Sequence, residues 1–370
     1  MAAAYLDHAS SSPLRPVAAA AMAAIWELPG NPSSAHAFGR NARKLLEDAR
    51  ESIADDIGAH PTQIVLCAGG TQADNMVLRG VREAYPNAVI AISAVEHPAV
   101  LEAKKWPNVE ILGVDETGRL LAEDLTVLDS RCKLISSIWV NNETGVISPI
   151  ESVVARAAEL GALAHSDGVQ ALGRVPIDFS ASGLDFLSLS AHKVGGPVGV
   201  GALVVRRSVK LPRIDFGGGQ EAGLRSGTVP AALAVGFAAA LHAAIAEQNE
   251  LNTRMRRWHS QLADFAAEFP GARLNCAGAC TCAIVNITFS HTRAEDILLL
   301  LDQRGIAVST GSACATGVHQ ASEVLLAMGR SLPDAGAAIR ISFGWSTTED
   351  EVNRLLAVLP EVLASARGSW

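Results

Sequence analysis

The sequence predicts an α/β protein: a mostly parallel central sheet with helices on both faces, followed by a smaller α+β domain. From Ile64 to Val205, short apolar runs alternate with helically periodic stretches, as repeated βαβ units do. After Pro212 the texture changes to a glycine-rich polar loop, long helical stretches and then sparser strands. Of the 370 residues, 49% are apolar and 18% charged, which suits a globular chain with a sizeable core.

Taken in order, Tyr5-Leu6-Asp7-His8 reads as a short edge strand. Residues 15–28 and 40–58 carry helical periodicity, with Leu45, Leu46, Ala49, Ile53 and Ile57 on one face. The small, polar run Gly30 to His36 separates them as a loop. Strands are expected at 64–66, 88–92, 109–112, 134–140, 162–165, 186–189 and 201–205. Helices are expected between them at 71–84, 98–105, 121–128 and 151–160. Sheets built this way bind ligands beyond the C-terminal ends of their strands. Past the loop 217–228 come two helical stretches, 229–248 and 250–268. Strands near Ala283–Phe289 and Ile339–Phe343 and helices near 293–303 and 348–364 complete the chain. We read 15–248 as the large domain, and 1–14 with 249–370 as the small one. Val229 to Ala246 is long enough to span a membrane, but its alanines, Pro230, Gly236 and His242 point to a buried helix of a soluble protein.

A net charge of −8 with no basic block argues against direct nucleic-acid binding. Six cysteines without framework spacing suggest reduced thiols in the cytoplasm, and the N-terminus lacks the charged and apolar regions of a signal peptide.

Polar residues collect at the expected strand ends. Asp185 to Pro197 holds an apolar run, then Ser190-Ala191-His192-Lys193, then a Gly-Gly-Pro turn. A lysine at the mouth of a buried strand can be desolvated into an amine nucleophile; the alternative is a solvated loop lysine. Gly69-Gly70-Thr71 before a helix can cradle a phosphate, or be a plain helix cap. His97 precedes Pro98 at a turn, Asn142 follows the strand at 134–140, and Asp167 and Gln170 follow the strand at 162–165. A buried Asp167 needs a cation. A lysine, a carboxylate, a histidine, amides and an anion cradle at one sheet edge are the equipment for pyridoxal phosphate. Cys314 lies in a small-residue segment, where a thiol can stay accessible as a nucleophile. Cys276, Cys280 and Cys282 read as structural or incidental thiols and not a metal site, because no fourth ligand stands at zinc spacing; no metal is expected. Cys67 and Cys132, beside strands, read as core fillers.

Over essentially its whole length the chain resembles the cysteine desulfurases, class-V members of the fold-type I pyridoxal-phosphate enzymes. The likeness runs through Tyr5 to Ala9, Gly30 to Ser34, Gly69 to Asn75, Glu96-His97, Val140 to Glu143, Ser166 to Gln170, Ser190 to Lys193, Arg225 to Thr228, Ser309 to Cys314 and Ile339 to Ser342. The long segment around Cys314 resembles the branch with a mobile loop.

The resemblance implies that Lys193 bonds the cofactor aldehyde and then shuttles protons. Asp167 pairs with the pyridine nitrogen, while His97 stacks on the ring and serves in acid–base steps. Gln170 and Asn142 contact the phenolic oxygen and the substrate. Gly70, Thr71, Ser190 and His192 hold the phosphate, with Thr228 from the other subunit of a homodimer. Arg340 clamps the substrate carboxylate. Cys314 takes the sulfur of L-cysteine as a persulfide, leaving L-alanine, and passes it to an acceptor: an iron–sulfur scaffold, a tRNA-thiolation enzyme or a DNA-modification partner. Gln72 stands where relatives often have glutamate, and Ala9-Ser10-Ser11-Ser12 replaces a commoner Ala-Thr-Thr. The chain ends at Trp370, where relatives that feed iron–sulfur scaffolds often run longer. The alternatives are another class-V enzyme, such as an aminotransferase or a selenocysteine or cystine lyase, and a catalytically silent sulfur carrier.

Overall fold

A computed structural model describes residues 3–276, 278–311 and 321–367. The chain opens with β1 (Ala4–Tyr5), α1 (Pro16–Trp26) and α2 (Ala37–Asp56). The large sheet follows as β2 (Ile64–Cys67), β3 (Val89–Ser93), β4 (Val109–Leu112), β5 (Cys132–Ser136), β6 (Leu163–Asp167), β7 (Phe186–Ser190) and β8 (Gly201–Val205). Between these strands lie α3 (Gly70–Ala84), α4 (Pro98–Leu101), α5 (Ala122–Val127), α6 (Ile150–Leu160) and α7 (Phe179–Ser182). Spatial order is β2-β8-β7-β6-β5-β3-β4, and only β8 runs against the rest.

The mostly parallel sheet is as expected, and its two covered faces explain the apolar runs. Every residue of β2, β3, β7 and β8 is buried. Along β2, Ile64 and Leu66 join the core under α2 and α8 (Ala231–Glu268), while Val65 and Cys67 join the core under α3. That is the two-residue alternation of a strand with helices on each side.

The C-terminal part contains β9 (Ala272–Leu274), β10 (Ile284–Phe289), α9 (Ala294–Asp302), β11 (Ile306–Ala307), α10 (Glu323–Ala327), α11 (Leu332–Ala335), β12 (Ala338–Ser342) and α12 (Glu349–Arg367). It forms the sheet β12-β10-β9, and β1 pairs with β11. Its core gathers Leu6 and Ala9 with Trp258, Ile287, Phe289, Ile341 and Leu359, apart from the cores of the large sheet.

Two expectations change. Residues 229–248 and 250–268 are not separate helices but one 38-residue helix, α8. The polar run Glu247 to Glu250, which reads as a boundary, marks where α8 leaves one core and enters the other. Ala234 to Ala244 pack in the first, Leu251 to Ala266 in the second. The apolar face is interrupted while the backbone continues. The strand expected at 134–140 ends at Ser136. Val140 then bridges Ile147 across a tight hairpin, where Asn141 Oδ1 accepts the backbone N–H groups of Glu143 and Thr144 at 2.9 and 2.8 Å.

Candidate active site

At the strand ends lies a cavity of about 480 Å³. Gly70, Thr71, His97, Asn142, Asp167, Gln170, Ser190, His192, Lys193 and Arg340 all line it. Thr228 lines a different cavity, with Arg50 and Glu221. Cys314 lies outside the described residues.

One end is built by the β2–α3 turn. Gly69 takes φ 148°, a conformation open to glycine, and a Cβ on Gly70 would come within 2.5 Å of Val169 Cγ2. Gly70 lets the turn pack against Val169 in the 167–170 turn, and this puts the N-terminus of α3 at the cavity wall with its unshared N–H groups. Gln72 Oε1 accepts Ala68 N–H at 2.7 Å and so braces this turn. His192 Nδ1 lies 3.2 Å from Ser11 Oγ, beside the cradle.

Lys193 follows β7 on a short 3₁₀ turn, and its Nζ donates to the carbonyls of Ala9 and Ser10, both at 2.7 Å. Burial lowers its pKa to about 7, helped by the Arg340 and Arg174 cations and opposed by Asp167 and Asp7. The amine is therefore substantially neutral near neutrality, when an ordinary lysine is fully protonated. The rate at which apoenzyme captures pyridoxal phosphate on Lys193 should rise with pH through a midpoint near 7 and level off above it. A midpoint near that of a free lysine, read by borohydride trapping across pH, would contradict this.

His97 caps α4, its Nδ1 accepting Ala99 N–H at 3.1 Å, which leaves Nε2–H as the donor of the neutral ring. Burial keeps its pKa below the usual value, with Asp167 pulling the other way. Asp167 Oδ1 accepts Val169 N–H at 2.9 Å; burial raises its carboxyl pKa, while His97, that hydrogen bond and Lys193 draw it back. A cationic ring nitrogen beside Asp167 would supply the partner that its burial requires.

Sequence reasoning missed the polar belt beneath this carboxylate. His165 Nδ1 lies 2.9 Å from Ser136 Oγ, and its Nε2 lies 3.1 Å from Ser188 Oγ and 3.6 Å from Asp74 Oδ1. Ser136 Oγ donates to Glu96 Oε1 at 3.2 Å. Burial holds His165 neutral, with a pKa near 3, and pushes Asp74 and Glu96 well above the usual carboxyl range. The available signal was polar residues interrupting apolar strands, at His165 and at Ser136 and Ser188.

At the far end, Arg340 on β12 donates to the Asn142 carbonyl at 2.9 Å and to Asp7 Oδ1 at 2.7 Å. The expected carboxylate clamp is thus already paired with Asp7 from the N-terminal segment. Gln170 Nε2 donates to the Ala9 carbonyl at 2.7 Å, and its Oε1 accepts from the buried Arg174.

Among the described residues, Asn142 Oδ1 and Arg340 Nε are buried without a hydrogen-bond partner. The open Asn142 Oδ1 and Arg340 Nε, with an anion cradle, an amine and a buried carboxylate around one cavity, fit a phosphorylated, cationic aldehyde and an amino acid beside it.

The cysteines depart from the expectation of free thiols. Cys276 and Cys280 are joined as a disulfide, whereas Cys67 and Cys132 are buried and free, as core fillers are.

The family model for class-V aminotransferases matches residues 4–355. An IscS-like cysteine desulfurase of Mycobacterium tuberculosis is 41% identical, over 98% of this chain and 97% of that protein. The structure of a NifS-like protein from Rickettsia africae superposes with TM-score 0.90 at 29% identity, covering 98% of this chain and 99% of that one. A structure titled SspA in complex with cysteine superposes with TM-score 0.81 at 30% identity, covering 92% and 98% of the two chains.

Proposed function

The chain belongs to the class-V aminotransferase family and is a pyridoxal-phosphate-dependent cysteine desulfurase, and on that premise we propose that it converts L-cysteine to L-alanine by taking the sulfur onto Cys314 as a persulfide. The observation that carries this reading is the buried Lys193 amine, held near pKa 7 in one cavity with Asp167, His97 and the α3 N-terminus.

When bound, the cofactor supplies an aldehyde for amines and a ring that accepts electrons from the substrate. The chain's own residues do the rest. The α3 N-terminus, Thr71, Ser190 and His192 hold the phosphate, and Asp167 holds the ring nitrogen. The unpartnered Nε–H of Arg340 receives the substrate carboxylate, and Asn142, whose Oδ1 is free to accept, contacts the substrate beside it. Lys193 Nζ carries a proton between positions on the substrate, which a pKa near neutrality suits. His97 supplies a neutral acid–base group. A sulfur–sulfur bond to Cys314 forms as the substrate's carbon–sulfur bond breaks. The electron pair stays with carbon, which takes a proton, so that one cysteine and one thiol give one alanine and one persulfide.

Incubation of holoenzyme with L-cysteine should yield alanine, with one sulfur per alanine recovered as persulfide on the protein or as sulfide once a reductant is added. Keto-acid formation, or turnover of cystine or selenocysteine with L-cysteine left untouched, would replace this reading with that of another class-V enzyme.

The division into a large domain (15–248) and a small one (1–14 with 249–370) rests on their separate main cores, between which a smaller cluster joins Val95, Val114 and Ile138 to Val324, Leu325 and Met328. A homodimer is supported by Thr228, which lines a cavity other than its own chain's active-site cavity, and by the exposed apolar side chains of Val198 and Phe216. The sulfur acceptor is another protein, either a scaffold or a thiolation enzyme, reached in the cytoplasm. Neither a membrane nor direct nucleic-acid binding enters the scheme, in keeping with the charge of −8.

A further inference from the structure

We propose that His259, Cys276 and Cys280, with both cysteines reduced, form a site for a zinc-class divalent cation outside the catalytic cavity. The two sulfurs and a ring nitrogen of His259 all lie within 4.8 Å of one another. They come from three places: His259 from α8, Cys276 from just after β9, and Cys280 from the loop leading to β10. None of the three lines the cavity that holds Lys193.

His259 Nε2 is buried and has no hydrogen-bond partner among the described residues, a cost the fold bears unless a ligand is supplied. Cys276 is buried, while Cys280 is half-exposed. Two thiolates on a divalent cation leave no net charge at a partly buried point. The half-exposed side leaves a path for the cation and for a water as fourth ligand. Sulfur and imidazole ligands without carboxylates select zinc over magnesium or calcium.

The disulfide seen here is the oxidised form of the same pair. Reduction by a dithiol or phosphine adds two electrons and two protons to give two thiols, and the cation then displaces both protons. The Cα atoms are 6.7 Å apart, near the upper end of what a disulfide spans, so the sulfurs can separate without backbone movement.

The site sits directly behind the active-site hairpin. Ile147 N–H donates to Ala279 O and Thr281 N–H to Gly145 O, both at 2.9 Å, so the cysteine loop is an added strand on the hairpin that carries Asn142 and Glu143.

The test uses Cys314→Ala holoenzyme, so that the reactive thiol takes no part. After phosphine reduction and removal of the reductant, zinc is titrated in competition with a chromogenic chelator, and cobalt(II) replaces it as a spectroscopic probe. One cation per chain is expected, with the intense red-region bands of four-coordinate cobalt. His259→Ala and Cys280→Ser, added singly, should each weaken zinc binding by at least about ten-fold. Diamide-oxidised protein, which needs no further substitution, should bind none until it is reduced again. Stoichiometric binding that persists in both variants, binding unchanged by oxidation, or no binding after reduction would each overturn the site.

Discussion

Lys193→Ala holoenzyme should remain folded, retain non-covalent cofactor and lose alanine formation from L-cysteine by roughly 10²- to 10⁴-fold, the usual range for removing a positioned proton-transfer group. The physical reason is local. The amine is poised by burial against two arginines, Arg340 and Arg174, whose repulsion costs its protonated form more than Asp167 and Asp7 return. Alanine at 193 also removes two hydrogen bonds, to the carbonyls of Ala9 and Ser10, which tie the N-terminal segment to the site. Borohydride treatment and peptide mapping should find the cofactor on Lys193 in the wild type and nowhere in the variant. An arginine variant separates charge from chemistry, since arginine keeps a cation but does not deprotonate in this range. Near-wild-type turnover in either variant would remove Lys193 from the mechanism.

Cys314→Ala should abolish persulfide and sulfide production, by on the order of 10³-fold or more as expected for loss of a nucleophile, while cofactor content and its absorbance stay unchanged. The effect differs in kind from that at Lys193. The variant should still bind L-cysteine and perturb the cofactor spectrum, yet release no sulfur. The flanks of the cysteine segment are held by one residue. Buried Glu143, next to Asn142, accepts from Ser322 Oγ at 2.5 Å, and a Cβ on Gly311 would lie 3.2 Å from its Oε2. Gly311 and Ser322, which flank that segment, thus both rest on the active-site hairpin. Unchanged desulfuration in Cys314→Ala would transfer the nucleophile's role to another group and undo the persulfide route.

Much of the fold was legible in the sequence, because a sheet covered on both faces writes itself as apolar runs between helical stretches. The position of β2, β7 and β8 and of most helices followed from that alternation. The single helix α8 was not legible. A polar run inside a helix and a polar loop between helices look the same until two cores claim the apolar residues on either side. Short elements such as β11, α10 and α11 carry too few residues for any period to show. In the site, residues at strand ends announced themselves, since chemistry at a sheet edge needs polar groups exactly where strands stop. Those that act from below or from afar did not: Asp74 on α3, His165 within β6, Arg174 past the 167–170 turn and Asp7 near the N-terminus.

What the sequence by itself determined is the order of strands and helices and, through it, the edge where Lys193, Asp167, His97 and Asn142 meet. Local periodicity and turn chemistry suffice for that, because each of these residues lies within a few positions of a strand end. What only the tertiary structure decided is how these groups are tuned and what else converges. The acidity of Lys193 depends on its burial and then on Arg340, which arrives on β12 from the other core, and Arg340 is held in turn by Asp7. His259 meets Cys276 and Cys280 only because α8 runs on through both cores. Such long-range neighbours leave no local pattern, since burial and charge act across space and not along the chain.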